Sequence, residues 1–330
     1  MKLLSPSRVS AIYTWIVIVI VFSVWIPNTF LTELTWKNIA ASQAITAMVT
    51  LGLLFPLAAG VYDLAVGQTL GFAAVLSAYL VNHGFDTASA IAVTLAAGLC
   101  VGAINGALIV GVRINSFIAT LGVSSVLLAV VGAMSNNVQI TGLPASFQDM
   151  AGAQPLGIPI PVIYLAVLAV LAWYALEHSP LGRYLFAIGG AEEAARLAGV
   201  PTRRLVVVAL LISSVTAAFA GIVLTGKLTA GDPAAGPGYL LPAYAAAFLG
   251  ATQFTPGRFN VIGALTATYL LATGVAGLQL TGAKFWVTDL FNGLVLIIAL
   301  ALPTIQGRMR LRRSAERAAR EASSVTVSSG

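Results

Sequence analysis

Val261-Ile-Gly-Ala-Leu-Thr-Ala-Thr-Tyr-Leu-Leu-Ala-Thr-Gly-Val-Ala-Gly-Leu-Gln-Leu280 is a run of 20 residues without a charge. At a helical rise of about 1.5 Å per residue, such a run crosses a hydrocarbon core about 30 Å thick. In lipid, backbone amides must find partners within their own segment, so the run is read as a helix. Ala11–Ile26 repeats the pattern near the N-terminus, and the polar/apolar alternation of a transmembrane strand is not seen. Of 330 residues, 58% are apolar and 8% are charged, against about 25% charged in an ordinary soluble domain. A soluble globular domain is excluded.

Working outward from that run, ten spans are expected, near residues 11–27, 39–60, 66–82, 89–111, 117–134, 158–176, 205–226, 239–251, 261–280 and 285–303. Pro56, Gly60 and Gly67 punctuate the chain around 60–67, and Pro242 follows Gly236-Pro237-Gly238 in a short segment, so both places are expected to be broken or re-entrant. The expected fold class is all-α: a polytopic transmembrane helical bundle, with residues 1–304 as one domain and 305–330 as a basic cytoplasmic tail. From Arg308 the tail is polybasic, suited to anionic membrane lipids, and its Ser-rich end is expected to be disordered.

Lys and Arg favour the cytoplasmic side. With both termini inside, fourteen of the 17 basic residues fall on that side, and Lys37, Lys227 and Lys284 fall outside. Residues 135–157, which contain no Lys or Arg, are then extracytoplasmic, and 177–204 is the largest internal loop. Lys2 and Arg8 precede the first run, but it ends in Trp25-Ile26-Pro27-Asn28 without a small-residue cleavage site, so it is read as a retained helix. The net charge of +6 lies in loops and tail, which argues against a nucleic-acid partner. Cys100 is the single cysteine, sits in an apolar stretch and is read as a packing residue.

The internal loop contains His178-Ser-Pro-Leu-Gly-Arg183-Tyr-Leu-Phe-Ala-Ile-Gly189-Gly190-Ala-Glu192-Glu193-Ala-Ala-Arg196-Leu-Ala-Gly199-Val-Pro201. Carboxylates open the stretch 191–198, Arg196 comes late, Gly199 suits a left-handed terminating position and Pro201 blocks continuation, which predicts a short helix. It is either an interfacial connector or a docking helix for a cytoplasmic partner. Gly221-Ile-Val-Leu-Thr-Gly226-Lys227 imitates a phosphate-loop spacing, but Leu228 replaces the magnesium-binding hydroxyl and the run closes an apolar span, so no phosphate site is expected. His83 and His178 stand alone in loops. No catalytic residue, metal site or cofactor is expected.

The Glu193-Ala194-Ala195-x-x-x-Gly199 spacing resembles the EAA-type loop of ATP-binding-cassette (ABC) import permeases. The longer string Gly182-Arg183-Tyr184, Ala187-Ile188-Gly189-Gly190, Glu193-Ala194-Ala195-Arg196-Leu197 resembles the ribose/monosaccharide branch of the branched-chain amino-acid and sugar permease family. Ala59–Gly67, Ile104-Asn105-Gly106 with Phe117–Gly122, and Gly238-Tyr239 with Leu249-Gly250 resemble further elements of that branch, in the same order. The chain departs from the pattern at Val61, Ala65, Gln68, Leu240, Pro242, Ala251, Pro256 and Phe259.

The resemblance implies a subunit of an importer for a sugar or similar small polar solute in the bacterial cytoplasmic membrane. It implies a second permease subunit, in a homo- or heterodimer, a cytoplasmic ABC ATPase and an extracytoplasmic solute-binding protein. Carried over, Glu192, Glu193, Ala195, Arg196 and Gly199 would contact the ATPase. The resemblance also places selectivity in the binding protein and makes the permease a smooth conduit of small residues. The rival solutes are branched-chain amino acids and nucleosides, and the rival mechanism is ion-coupled transport, which calls for buried charges.

Intramembrane polar residues are the candidates for the pathway: Asp63, Gln68, Asn105, Asn115 and Tyr239, with Gln279 and Asn292 beside them. Asp63 either lines or gates the path, or caps a broken helix by accepting N–H bonds. The amides either line the path or bond between helices. Asp289 is a candidate cap for the last span, and the Gly and Ala content of the fourth and ninth spans is expected to serve close helix packing.

Overall fold

The computed structural model describes residues 10–284 and 286–298. The first nine residues, the end of the last expected span and the basic tail lie outside the described residues. Among the described residues fourteen α-helices carry the fold: α1 Ser10–Trp25, α2 Pro27–Phe30, α3 Glu33–Ala58, α4 Val66–Asn82, α5 Thr87–Gly106, α6 Ser116–Ser135, α7 Ala145–Gly152, α8 Ile160–Trp173, α9 Pro180–Gly190, α10 Glu192–Leu197, α11 Thr202–Leu228, α12 Pro237–Gly250, α13 Val261–Leu280 and α14 Trp286–Ile298. π-turns prolong α5 over Ala107–Gly111 and α8 over Tyr174–His178. Within the described residues each of the ten expected spans overlaps one of these helices, and six, with α5 and α8 taken together with their π-turns, are long and apolar enough to cross a membrane. Among the described residues the only β-pairing is one isolated bridge, Ile140 to Gly231.

Helix starts follow from short polar side chains that satisfy otherwise orphaned first-turn amides. Thr32 accepts from Thr35 N, Asp86 from Ala88 N and Ser89 N, Asn115 from Phe117 N, Ser179 from Leu181 N and Asn260 from Gly263 N. At the head of α3, Lys37 pairs with Glu33 one turn away at 2.6 Å. Asp86 also accepts from Ser89 Oγ, and these bonds hold its carboxyl below the usual carboxylate range.

The core is built around α3 and α11, which are buried along most of their lengths and pack on each other and on α4. Small residues permit that approach: a Cβ on Gly102 of α5 would stand 2.9 Å from Leu210 O and from Leu211 Cα of α11. In α13 a Cβ on Gly263 would stand 2.3 Å from Gly250 O, so both small-residue spans do serve close packing. The imitation phosphate loop is interior turns of α11, with Gly221 through Gly226 buried. By contrast α6 and α8 leave Val126, Val130, Val167 and Val170 exposed, as suits helices whose solvent is lipid.

Two expectations need amendment. Residues 135–157 are more than a loop, because α7 lies within them and buries Phe147 and Ala151 against α11. Cys100 is exposed on α5, so it is no packing residue.

Candidate functional site

The break between α3 and α4 is a non-helical passage at core depth, and its amides need partners that a helix would have supplied. Side chains supply them in sequence. Tyr62 N donates to Ser116 Oγ at 3.3 Å, Asp63 N to Tyr244 Oη at 3.1 Å, Leu64 N to Thr120 Oγ1 at 3.0 Å, and Ala65 N to Asp63 Oδ1 at 3.1 Å. The other carboxylate oxygen, Asp63 Oδ2, accepts from Ser213 Oγ at 2.7 Å. Asp63 is fully buried. Its carboxylate therefore stitches the break to α11, while Tyr244 and Thr120 stitch it to α12 and α6.

At the C-terminal end of α3 lies the segment 179–201. Ser179 caps α9, whose inner face buries Gly182, Leu185 and Ile188. A Cβ on Gly189 would stand 2.3 Å from Ala58 O, so α9 presses directly on the last turn of α3. The Arg258 guanidinium sits 3.9 Å above the Phe186 ring and ties the α12–α13 connection to α9. Ala191, in extended conformation, turns the chain into α10.

The end of α10 is fixed by two bonds, Gly199 N to Arg196 O and Val200 N to Ala195 O, both 3.0 Å. Together with the left-handed φ of +84° at Gly199 they form a Schellman turn. Ala195 alone is buried; Glu192, Glu193, Arg196 and Leu197 face outward, Leu197 with 80% of its surface exposed. Arg196 Nη2 bonds Glu193 Oε1 at 2.5 Å, and that bond, then the charge, raises the guanidinium pKa.

At the other end of α3 is an open cavity of about 610 Å³ lined by α3, α12, α13 and α14. Its α3 wall is a stripe at helical spacing, Thr35, Asn38, Ser42 and Thr46, with Gln43 beside it. Tyr239 enters from α12, Thr268 and Gln279 from α13, Thr288, Asp289 and Asn292 from α14. Gln279 Nε2 donates to Thr288 Oγ1 at 3.3 Å and closes the corner between α13 and α14.

The sequence candidates thus separate. Tyr239, Gln279 and Asn292 line the cavity; Asp63, Gln68, Asn105 and Asn115 do not. Asp63 is enclosed in the break, accepting from Ala65 N just ahead of α4 and from Ser213 Oγ, and Asn115 is an exposed helix cap. Gln68 and Asn105 are buried with amide atoms that find no hydrogen-bond partner in the structure, so they are not the interhelical bonds expected of them. Asp289 is exposed and lies at the cavity, one turn into α14. The sequence reading missed Ser213, Tyr244, Thr120 and the α3 stripe. The stripe was legible as Thr and Asn at spacings of three and four, whereas the three partners of the break carry no local signal.

Comparison with known proteins agrees with this architecture. The chain is 30% identical over 289 residues to the ribose import permease protein RbsC of Escherichia coli (strain K12), covering 86% of this chain and 90% of that one. It is 33% identical over 288 residues to the ribose import permease protein RbsC of Bacillus subtilis (strain 168), covering 87% and 89%. It is 30% identical over 288 residues to the D-allose transport system permease protein AlsC of Escherichia coli (strain K12), covering 87% and 88%. No solved structure matches the chain. The profile of the family described as branched-chain amino acid transport system / permease component matches residues 36–300, and the chain belongs to that family of multi-pass membrane transport components.

Proposed function

We propose that this chain is the translocation subunit of an ABC importer for a sugar or similar small polar solute, with residues 1–304 as its permease domain and 305–330 as a cytoplasmic tail. A separate ATPase docks on 177–204 from the cytoplasm, where Glu192, Glu193, Ala195, Arg196 and Gly199 form the coupling surface. A solute-binding protein approaches from the other side, and a second permease subunit completes the pathway.

The observation that carries this reading is the construction of α10. It is a short helix with one inward residue, an exposed leucine and exposed charges, yet its end is fixed by a Schellman turn and its neighbour α9 is wedged against α3. Such rigidity suits a lever for a partner. The helix that α9 bears on, α3, reaches the polar cavity at its far end. The sugar class is supported by the solutes of the relatives, which are permease proteins for ribose import and D-allose transport. An ion-coupled carrier is disfavoured because Asp63, the carboxylate at core depth, is fully enclosed and bonded.

The test is the energy source. Uptake by proteoliposomes carrying the permease, its ATPase and its binding protein should require internal ATP and survive collapse of the proton gradient. Uptake that follows a proton or sodium gradient without the ATPase would refute the reading.

A further inference from the structure

We infer that the cavity between α3, α12, α13 and α14 is a solute-contact site of the permease itself, selective for an uncharged, polyhydroxylated molecule. This rests on the import reading above and departs from the smooth, unselective conduit that family resemblance implies.

The lining is the first argument. Polar side chains on apolar helices that lack a protein partner are costly and are retained where a cavity gives them something to bond. Among the described residues, Asn38, Gln43, Asn292, Thr46 and Tyr239 line this one space with side chains that make no hydrogen bond to the protein, Asn38 at its exposed edge. Carboxamides both donate and accept, as a sugar hydroxyl does, and a tyrosine ring offers a flat face beside them.

Ser42 adds a directed donor. Lys227 Nζ, at the end of α11, donates to Ser42 Oγ, so the serine hydrogen must point away from the ammonium. Among the described residues nothing accepts that hydrogen, and Ser42 lines the cavity, so its hydroxyl serves as a donor to whatever occupies the space.

Charge is the third argument. Asp289 is the single charged residue among the lining residues, and it is exposed. Lys227 is engaged with Ser42 and is not part of the lining. A phosphorylated or otherwise anionic solute would bring a charge that this lining, which holds no cation, does not match, whereas a neutral polyol brings hydroxyls that it does. The volume of about 610 Å³ leaves room for a monosaccharide with water. Several modest contacts spread over four helices suit a passage station, which must hold the solute weakly enough to release it.

The test uses the reconstituted complex with D-ribose, D-allose and L-arabinose as probes, then the fastest of the three against its deoxy analogue. The binding protein is the same throughout, so any change in discrimination arises in the permease. Gln43→Leu and Asn292→Leu should each lower ATP-driven uptake about 3- to 10-fold and narrow the preference over the deoxy sugar, with co-purification of the ATPase unchanged. As a measurement independent of folding losses, Gln43→Cys in a Cys100→Ala background should react with a hydrophilic thiol reagent, and the transported sugar should slow that reaction. If wild type moves a sugar while both leucine variants keep its rate and preference, or the sugar gives no protection, the cavity is not a contact site. If wild type moves none of the three sugars under ATP, the sugar assignment of the import reading fails, and this proposal with it.

Discussion

Ser213 Oγ donates to Asp63 Oδ2 at 2.7 Å across 150 positions of sequence, and that bond fastens the non-helical turn between α3 and α4 to the middle of α11. The same carboxylate uses its other oxygen to accept from Ala65 N, the amide that leads into α4. One residue thus closes the turn locally and anchors it remotely.

This geometry predicts an order of damage. Asp63→Ala strips both bonds and should be worst. Ser213→Ala leaves a buried carboxylate oxygen without its donor, at a cost of about 1–3 kcal/mol. Asp63→Asn keeps the acceptor for Ala65 and turns an amide toward the serine, so it should be mildest. Thermal unfolding of the purified variants in detergent gives the order. Should Asp63→Asn unfold like wild type yet lose all uptake, the carboxylate acts in gating and its architectural role is secondary.

Tyr244→Phe and Thr120→Val each remove the acceptor of an amide in the same turn, the buried Asp63 N and the half-buried Leu64 N. Each should cost about 1–3 kcal/mol. Because the two amides are neighbours, the double variant should depart from additivity. Amide hydrogen exchange over 61–65 should rise in both single variants, and unchanged exchange would mean that water replaces the lost partners.

For the coupling surface, Glu193→Lys inverts an exposed charge and Gly199→Val forces a β-branched residue into a left-handed backbone. Both should leave membrane insertion and abundance near wild type. Solute-stimulated ATP hydrolysis should fall at least about tenfold, with loss of ATPase co-purification, because charges desolvated in a cleft weigh far more than exposed ones. Normal binding and hydrolysis in both variants would remove α10 from the coupling role.

Orientation is open to direct labelling. Leu156, between α7 and α8, and Leu197, at the end of α10, are 100% and 80% exposed and make good reporter positions. In a Cys100→Ala background, Leu156→Cys should react with an impermeant thiol reagent added outside, and Leu197→Cys only after the membrane is opened. The reverse pattern would invert the proposed topology.

How much of this was legible in the residues varies with the range of the physics. The spans could be read because an uncharged run of about 20 residues has one way to satisfy its backbone in lipid. The end of α10 could be read as well, since Gly199 and Pro201 act within their own turn, and the Schellman bonds form where the glycine predicts. Polar residues inside the spans could not be ranked. Gln68, Asn105, Asn115 and Asn292 are alike as amides in apolar sequence, yet one caps a helix, two are enclosed and one lines a cavity.

The sequence by itself determined a membrane bundle, its helices, the turn after α10 and the family, because hydrophobic length, capping and short motifs are local properties. Only the tertiary structure decided that Asp63 faces Ser213 and that the α3 stripe meets Tyr239 and Asn292. Helices that are apolar on every side carry no signal of which face meets which neighbour. That choice is made when small residues such as Gly102 let particular helices approach, and it fixes which polar groups find partners and which are left to a passing solute.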